Sequence, residues 1–250
     1  MGRSSMVQLR FIGSGDAFGS GGRFNTCLEV RAAASVFLID LGATSLVAMN
    51  ALGVQRNPVR TILFSHLHGD HFGGLPFFLL DAQFVSGRKG PLTFAGPPGM
   101  EERVMQALDV FFPGAAATAW NFPLDFVELA PGRPHRLEGF AVRPFVVDHP
   151  SGAPSFALRV EVDGKTLCYS GDTAWTKSLA DAARGADLFV TETYSLRMPV
   201  PFHLDLPTLK RHLPGIGAKR TILTHLGPEM LAHAAEAGIE VAHDGMAVEV

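Results

Sequence analysis

The apolar run Thr61-Ile62-Leu63-Phe64 is followed, after Ser65, by His66-Leu67-His68-Gly69-Asp70-His71. The run is typical of a buried strand, and the hexapeptide reads H-x-H-x-D-H. Neutral imidazoles and a carboxylate together suit zinc, manganese or iron. This stretch therefore predicts half of a two-metal site at the end of a strand. The alternative at this point is a polar loop that happens to be rich in histidine.

Metal-binding residue types recur downstream, each time at the end of an apolar run. His149 follows Phe145-Val146-Val147-Asp148, Asp172 follows a run that ends at Gly171, and His225 follows Thr221-Ile222-Leu223-Thr224. Each of these residues alone has an ordinary explanation as a loop, turn or capping residue. Strand ends share one edge of a sheet, however, so the repeated pattern predicts that these residues converge on the hexapeptide.

The bulk composition is that of an ordinary globular enzyme. The chain has 250 residues, of which 47% are hydrophobic and 18% are charged, with a net charge of −3. Because no basic surplus would drive counterion release, the composition counts against a protein that grips long nucleic acid. The two cysteines, Cys27 and Cys168, are predicted to be buried free thiols.

Strands occur in blocks in each half of the chain, with helical patterns such as Leu41–Leu52, Gly74–Val85 and Met100–Phe112 between them. This arrangement predicts an α/β fold with two sheets packed face to face and covered by helices. No linker is evident, and we expect a single domain over residues 1–250. The segment Met1–Arg10 lacks the apolar region of a signal peptide, and no apolar stretch reaches membrane-spanning length. We therefore expect a cytoplasmic protein without membrane association.

The order H-x-H-x-D-H…H…D…H resembles the metallo-β-lactamase superfamily over nearly the whole chain. The resemblance implies a four-layer αβ/βα sandwich with two divalent metal ions at one edge of the sheets. Zinc is the first expectation, and manganese or iron would accept the same ligands. One ion would be held by three histidines, the other by a carboxylate and two histidines, with a bridging carboxylate: His66, His68 and His149; Asp70, His71 and His225; and Asp172. Asp40 and Asp148 are the expected partners that orient the imidazoles.

Further motifs resemble the ribonuclease Z-like branch of that superfamily. They are Thr224-His225-Leu226, Gly96-Pro97-Pro98-Gly99 and Arg23-Phe24-Asn25-Thr26. His203 lies 22 residues before His225, where the branch has a histidine that stabilises or protonates the phosphodiester. Glu192 matches an acidic residue near that histidine. The resemblance thus implies Asp70, His203 and Glu192 as catalytic residues.

One departure from ribonuclease Z bears on the substrate. That enzyme carries a long arm that clamps tRNA, inserted where this chain has only 22 residues between His149 and Asp172. These residues predict a hairpin with an Asp163-Gly164 turn. The chain looks closer to arm-less phosphodiesterases, notably the cyclic-phosphate phosphodiesterases of the carbon–phosphorus lyase pathway, although their cysteine-rich zinc insertion is absent.

The sequence leads to a dinuclear metal-dependent phosphodiesterase that acts on a small phosphodiester, a cyclic one included. The alternatives are ribonuclease Z-type processing of tRNA 3′ ends, hydrolysis of a lactone or another ester, and a metal-stabilised binding protein without activity. No long nucleic acid is expected as a partner, and a homodimer is predicted. Arg23 is a candidate phosphate contact. Met198–Phe202 could form a substrate wall or ordinary packing, and Tyr194 has no predicted role.

Overall fold

Two seven-stranded sheets form the centre of the fold. The computed structural model describes residues 6–250. The first sheet has the order β14-β1-β2-β3-β4-β5-β6 and the second β13-β12-β11-β10-β9-β8-β7. The strands of the first sheet are β1 Gln8–Gly13, β2 Cys27–Arg31, β3 Val36–Ile39, β4 Thr61–Leu63, β5 Leu92–Gly96, β6 Leu124–Glu128 and β14 Ala247–Glu249. The strands of the second are β7 His135–Leu137, β8 Phe140–Val146, β9 Phe156–Val162, β10 Lys165–Tyr169, β11 Leu188–Glu192, β12 Arg220–Thr224 and β13 Glu240–Val241.

Helices cover the outer face of each sheet. They are α1 Ser45–Ala51, α2 Gly69–Phe72, α3 Leu75–Phe84, α4 Met100–Phe111, α5 Lys177–Ala183, α6 Leu206–Ile216 and α7 Pro228–Ala232. Alternate residues of each strand face opposite sides, so that Leu28 and Val30 of β2 lie between the sheets while Cys27 packs toward the helices. Three apolar clusters follow: one between the sheets, one under α1, α3 and α4, and one under α5 to α7.

The three clusters separate four layers, helix, sheet, sheet and helix, as the resemblance implied. The fold is thus the metallo-β-lactamase type of αβ/βα sandwich. The single-domain prediction extends over residues 1–5, which lie outside the described part of the chain, and it stays a prediction. No helix within residues 6–250 combines the length and the apolar character needed to cross a membrane.

The parallel strands decide where functional side chains meet. β3, β4, β5 and β6 run parallel in the first sheet, and β10, β11, β12 and β13 in the second. Carboxyl ends of parallel strands lie at one edge, where α/β folds bind their ligands. His66 follows β4, Asp172 follows β10 and His225 follows β12 directly. All three therefore lie at the same edge of the sandwich.

One predicted helix begins later than expected. The pattern over Leu41–Leu52 predicts a helix, but α1 begins at Ser45. Asp40 adopts a left-handed conformation with φ 59°, and a Cβ at Gly42 would collide with the backbone of Asp70. The segment between β3 and α1 thus packs against the loop of the hexapeptide. Because this packing needs a non-helical backbone, the helix begins only at Ser45.

Candidate dinuclear metal centre

The first group of candidate ligands consists of His66, His68 and His149. Each contributes one ring nitrogen to a set whose members lie within 4.8 Å of one another. His149 Nε2 lies 3.0 Å from His68 Nδ1. The ring centroid of His66 lies 4.9 Å from that of His68 and 4.8 Å from that of His149. Residues 81 positions apart are thus brought together by β4 and β8.

The second group consists of Asp70, His71, Asp172 and His225. Asp70 Oδ2 lies 3.2 Å from Nε2 of both His71 and His225. Asp172 Oδ1 lies 3.3 Å from His71 Nε2, and its Oδ2 lies 3.5 Å from His225 Nε2. Tetrahedral ligands at roughly 2.0–2.2 Å from a cation stand roughly 3–3.5 Å apart. The spacing of this group therefore fits one cation.

Asp172 lies between the two groups. Its Oδ2 is 4.0 Å from His66 Nε2 and 3.9 Å from His149 Nε2, as well as close to His225. A carboxylate in this position can bridge two cations, which two-metal sites hold roughly 3.5–4 Å apart. The structure thus brings together all seven residues that the sequence singled out as metal ligands.

Asp40 orients two of the imidazoles. Its Oδ2 accepts a hydrogen bond from His71 Nδ1 at 2.7 Å and another from Ser65 Oγ at 2.7 Å. Because the Ser65 hydroxyl donates to Asp40, its oxygen can accept from His66 Nδ1, which lies 3.0 Å away. Both rings then carry their proton on Nδ1 and leave the Nε2 lone pair for a metal. The expectation for Asp40 matches this geometry. Asp148, the other expected partner, is exposed. It contacts Thr173 Oγ1 through its backbone N–H and not through its carboxylate.

His149, which is also buried, has a backbone partner instead. Its Nδ1 donates to the carbonyl of Phe202 at 3.0 Å. The His149 carbonyl in turn accepts from Ser155 Oγ at 2.6 Å, and Ser155 Oγ lies 3.0 Å from Ser151 Oγ. Ser65, Ser155 and Phe202 as orienting residues were not found from the sequence. Ser65 carries the one usable signal, since it lies between the apolar run and the hexapeptide.

Four buried polar atoms of the candidate ligands have no hydrogen-bond partner among the described residues: His66 Nε2, His71 Nε2, Asp172 Oδ1 and His225 Nδ1. Unpaired buried polar atoms are costly, and two of these, His71 Nε2 and Asp172 Oδ1, lie 3.3 Å apart. Burial opposes charge on His225, but the neighbouring carboxylates Asp172 and Asp70 outweigh it and raise the pKa of His225 to about 9. A cluster of buried carboxylates without a lysine or arginine beside it suits a cation. The residues present thus fit divalent metal ions.

His203 and Glu192 lie beside the ligands as a pair. His203 Nδ1 is 3.2 Å from Glu192 Oε1 and 3.1 Å from Oε2. Glu192 is fully buried at the end of β11 and also accepts from the backbone N–H of Thr173. Burial opposes charge on the His203 ring, but the hydrogen bond and charge of Glu192 outweigh it and raise the pKa of His203 above its usual value. Burial also raises the pKa of Glu192, so the pair holds a proton between His203 Nδ1 and the carboxylate and leaves Nε2 directed away from Glu192.

A cavity of about 370 Å³ opens onto this centre. Its floor is formed by candidate ligands, and its sides include Phe18, Tyr194, Val200, Pro201 and His203. No lysine or arginine occurs among the described residues that line it. The cavity thus combines an electrophilic floor, if metals are bound, with mainly apolar walls.

The segment Met198–Phe202 is part of this wall through Val200 and Pro201. Tyr194 also lines the cavity, and its ring centroid lies 4.9 Å from that of His203. Arg23 is placed elsewhere. Its guanidinium donates to the carbonyl of Ala242 at 2.7 Å, so the structure gives no support to a phosphate contact. Phe18 is held by Asp16, whose carboxylate accepts from the backbone of Phe18 and Ser20, a role that the sequence did not indicate.

Comparison with known proteins agrees with this geometry. Ribonuclease Z of Mycobacterium marinum is 31% identical over 194 residues, which cover 74% of this chain and 70% of that protein. The metallo-beta-lactamase fold protein YhfI from Bacillus subtilis superposes with a TM-score of 0.82 at 19% identity, covering 98% of this chain and 100% of that one. Human tRNase Z, short form, gives a TM-score of 0.79 at 23% identity, covering 96% and 98%.

The fold, the clustered ligands and these relatives define a metal-dependent phosphodiester hydrolase of the metallo-β-lactamase superfamily, in its ribonuclease Z-like branch. The family model described as Anti-Pycsar protein Apyc1 matches residues 7–244. The chain belongs to that family. The comparisons do not support the alternative of a binding protein without activity.

Proposed function

We propose that this enzyme hydrolyses a small phosphodiester that carries a single phosphate, cyclic phosphodiesters included, at a centre of two divalent metal ions. The observation that carries the proposal is the cavity of about 370 Å³, whose floor holds the candidate ligands and whose described lining contains no lysine or arginine. A substrate with further phosphates would find no cationic side chain there. Apolar walls such as Phe18 and Val200 suit the uncharged part of a compact ester.

We assign His66, His68 and His149 to one ion, Asp70, His71 and His225 to the other, and Asp172 to both. Zinc is the proposed metal, with manganese or iron as alternatives for the same ligands. Cations held there would neutralise charge on the phosphodiester and lower the pKa of a water molecule. The orphaned ring nitrogens of His66 and His71 support this assignment.

The chain's own residues then perform two tasks. Asp70 lies on the cavity floor and orients the attacking water through its carboxylate. His203 keeps Nδ1 on Glu192, so its Nε2–H is free to donate a proton to the departing alkoxide. Glu192 stabilises the imidazolium before the transfer. Such general acid catalysis is worth roughly 10²–10⁴-fold in rate.

Ribonuclease Z-type cleavage of tRNA is the second candidate, because a relative of that name is 31% identical. Against it stand the net charge of −3 and the short β9–β10 hairpin, whose strands pair from Lys165 opposite Val162 to Tyr169 opposite Leu158. No inserted arm is present between β9 and β10. Hydrolysis of a lactone or another ester is a weaker alternative, because that reaction has no evident need for the His203–Glu192 pair.

The test is a substrate panel with the zinc- and manganese-loaded protein. It comprises bis(p-nitrophenyl) phosphate, cyclic nucleotides, ribosyl cyclic phosphates, precursor tRNA and a lactone. His203→Ala and Asp172→Ala are assayed alongside, with His243→Ala as the control because His243 is exposed and outside the centre. Turnover of the small phosphodiesters supports the proposal if Asp172→Ala loses it on every one of them and His203→Ala loses it on those with an alkoxide leaving group. Preference for precursor tRNA or for the lactone would replace it.

We also propose that two copies associate through the outer face of α3 and α4. Phe84, Val110 and Phe111 are 72%, 77% and 54% exposed, and Phe77 packs 5.8 Å from Phe111. Exposed apolar side chains gathered on neighbouring helices mark association surfaces. Sedimentation of the wild type and of Phe111→Glu tests this: a dimer that the variant converts to a monomer supports it, and a wild-type monomer contradicts it. The cytoplasmic location stays a prediction.

A further inference from the structure

Within residues 6–250, four residues other than glycine have a positive φ: Asp40, Asp163, Phe202 and His225. Asp163 belongs to the Asp-Gly turn of a hairpin, where this conformation is expected. The other three lie at the metal centre. Asp40 orients imidazoles and His225 is a candidate ligand, whereas Phe202 has no assigned part. A bulky residue at φ 65° is uncommon and persists where its surroundings hold it.

Phe202 lies in a turn that its neighbours define. The backbone N–H of His203 donates to the carbonyl of Val200 at 3.1 Å, with Pro201 and Phe202 at the two central positions. Proline followed by a positive φ is the pattern of a type II turn, whose second central position favours glycine or asparagine. Phenylalanine is therefore an unfavourable choice for the turn alone.

The surrounding loop is closed at its base. Tyr194 N–H donates to the Leu204 carbonyl and Leu206 N–H to the Ser195 carbonyl, each at 2.9 Å. Ser195 Oγ donates to the carbonyl of Met198 at 2.6 Å. The loop is thus tied to the sandwich at both ends, and the turn at its far end has little freedom to relax.

The consequence falls on His149. A carbonyl can only accept a hydrogen bond, so the contact with the Phe202 oxygen at 3.0 Å requires the proton on His149 Nδ1. The lone pair is then on Nε2, which lies 3.0 Å from His68 Nδ1. Phe202 is 45% exposed, so burial in the core does not explain its position.

We propose that Phe202 is a positioning residue: its left-handed backbone presents a carbonyl that fixes the ring orientation and tautomer of His149, and so tunes the metal position formed with His66 and His68. The inference rests on the proposed metal set. It adds that the loop carrying His203 also controls a ligand, so that one turn joins metal binding to the proposed proton donor.

The test separates the backbone of Phe202 from its ring. Phe202→Asn removes the ring and introduces a residue that tolerates a positive φ. Phe202→Val keeps an apolar side chain, but its branched Cβ disfavours that conformation. We expect Phe202→Val to weaken binding of one zinc ion by about 10- to 100-fold, the usual effect of losing an orienting partner. We expect kcat to fall with it and KM to change little, while Phe202→Asn retains both zinc ions.

Zinc affinity is measured on the metal-free protein by competition with a chromophoric chelator, and the unfolding midpoint of each variant checks that it folds. Equal zinc affinity in Phe202→Val and wild type overturns the proposal, and so does equal loss in both variants, since the ring would then be responsible.

A second measurement needs no variant: long-range ¹H–¹⁵N spectra of the zinc-loaded wild type report the tautomer of His149. A proton on Nδ1 supports the proposal, and a proton on Nε2 overturns it. Neither measurement uses a substrate, so an incorrect proposed function would show up separately in the substrate panel.

Discussion

The two sheets contribute to the candidate metal centre in different ways. The first sheet supplies its ligands within six consecutive residues and orients two of them, His66 and His71, from Asp40, which is completely buried. The second sheet supplies His149, Asp172 and His225 from three separate strand ends and orients His149 from a loop whose Phe202 is 45% exposed. The ligands of the first sheet are therefore fixed by the core of the fold. The orientation of His149, from the second sheet, depends on how a surface loop packs.

This difference implies unequal sensitivity to substitution. Buried hydrogen bonds from a rigid carboxylate resist local motion, whereas loops open locally at lower free energy than core strands. We expect the ligands of the first sheet to be organised before metal binds, and those of the second sheet to depend more on loop contacts.

Asp172→Ala removes the carboxylate that contacts both groups of ligands. We expect the loss of at least one metal ion per chain and a fall in turnover of at least about 10³-fold, because the two-metal arrangement that supports catalysis is lost. Elemental analysis and steady-state kinetics measure the two effects. A variant that retains both ions and wild-type turnover would contradict the assignment of Asp172 as the bridge.

His203→Ala is expected to reduce kcat by roughly 10²–10⁴-fold, the range for loss of a general acid or base. Metal content should not change, because His203 is assigned to proton transfer. The loss should be smaller for a p-nitrophenyl ester, whose leaving group needs little protonation, than for an alkyl phosphodiester. An equal loss on both substrates would argue against His203 as the proton donor.

Asp40→Ala removes the acceptor that orients His71 directly and His66 through Ser65. We expect metal affinity to fall by about 10- to 100-fold and the protein to lose stability, since the hydrogen bonds from Ser65 and His71 become unsatisfied. Chelator competition and thermal unfolding measure the two effects. If Asp40→Ala weakens metal binding less than Phe202→Val does, the ligands of the first sheet are not better organised than those of the second.

Ser65→Ala and Ser155→Ala form a matched pair with the smallest expected effects. Ser65 joins His66 to Asp40 in the first sheet's half, and Ser155 Oγ donates to the His149 carbonyl in the second. Each variant loses the two hydrogen bonds of its hydroxyl, and each bond is worth about 1 kcal/mol of unfolding free energy. Metal affinity should fall more for Ser65→Ala, because Ser65 contacts an imidazole nitrogen directly. The opposite order would indicate that the His149 backbone controls the ligand more than the ring contact does.

The sequence was sufficient for the fold class and for bringing the candidate ligands together, and the reason is physical. An apolar strand and a ligand residue at its end can both be recognised from the local sequence. Four such residues could therefore be placed at one edge before any tertiary contact was known: His66, His149, Asp172 and His225. Helix starts were less predictable, as at Ser45, because the left-handed Asp40 and the packing of Gly42 depend on a loop distant in sequence.

The orienting contacts show a similar limit. Asp40 could be anticipated because a carboxylate at a strand end is a common imidazole partner. The Phe202 carbonyl could not be anticipated, because every residue has a carbonyl and only the turn geometry aims this one at His149. For the same reason Arg23 looked available for phosphate, although its guanidinium is held by the Ala242 carbonyl.

Whether the enzyme acts on a small phosphodiester is measured by the ratio of kcat/KM for a 3′,5′-cyclic nucleotide to kcat/KM for precursor tRNA, with fully metal-loaded protein. The zinc content is determined on the same sample. We expect two ions per chain and a ratio that clearly favours the small cyclic phosphodiester, whose turnover His203→Ala loses and His243→Ala keeps. Two bound ions with faster cleavage of precursor tRNA, or with no phosphodiester turnover at all, would contradict it.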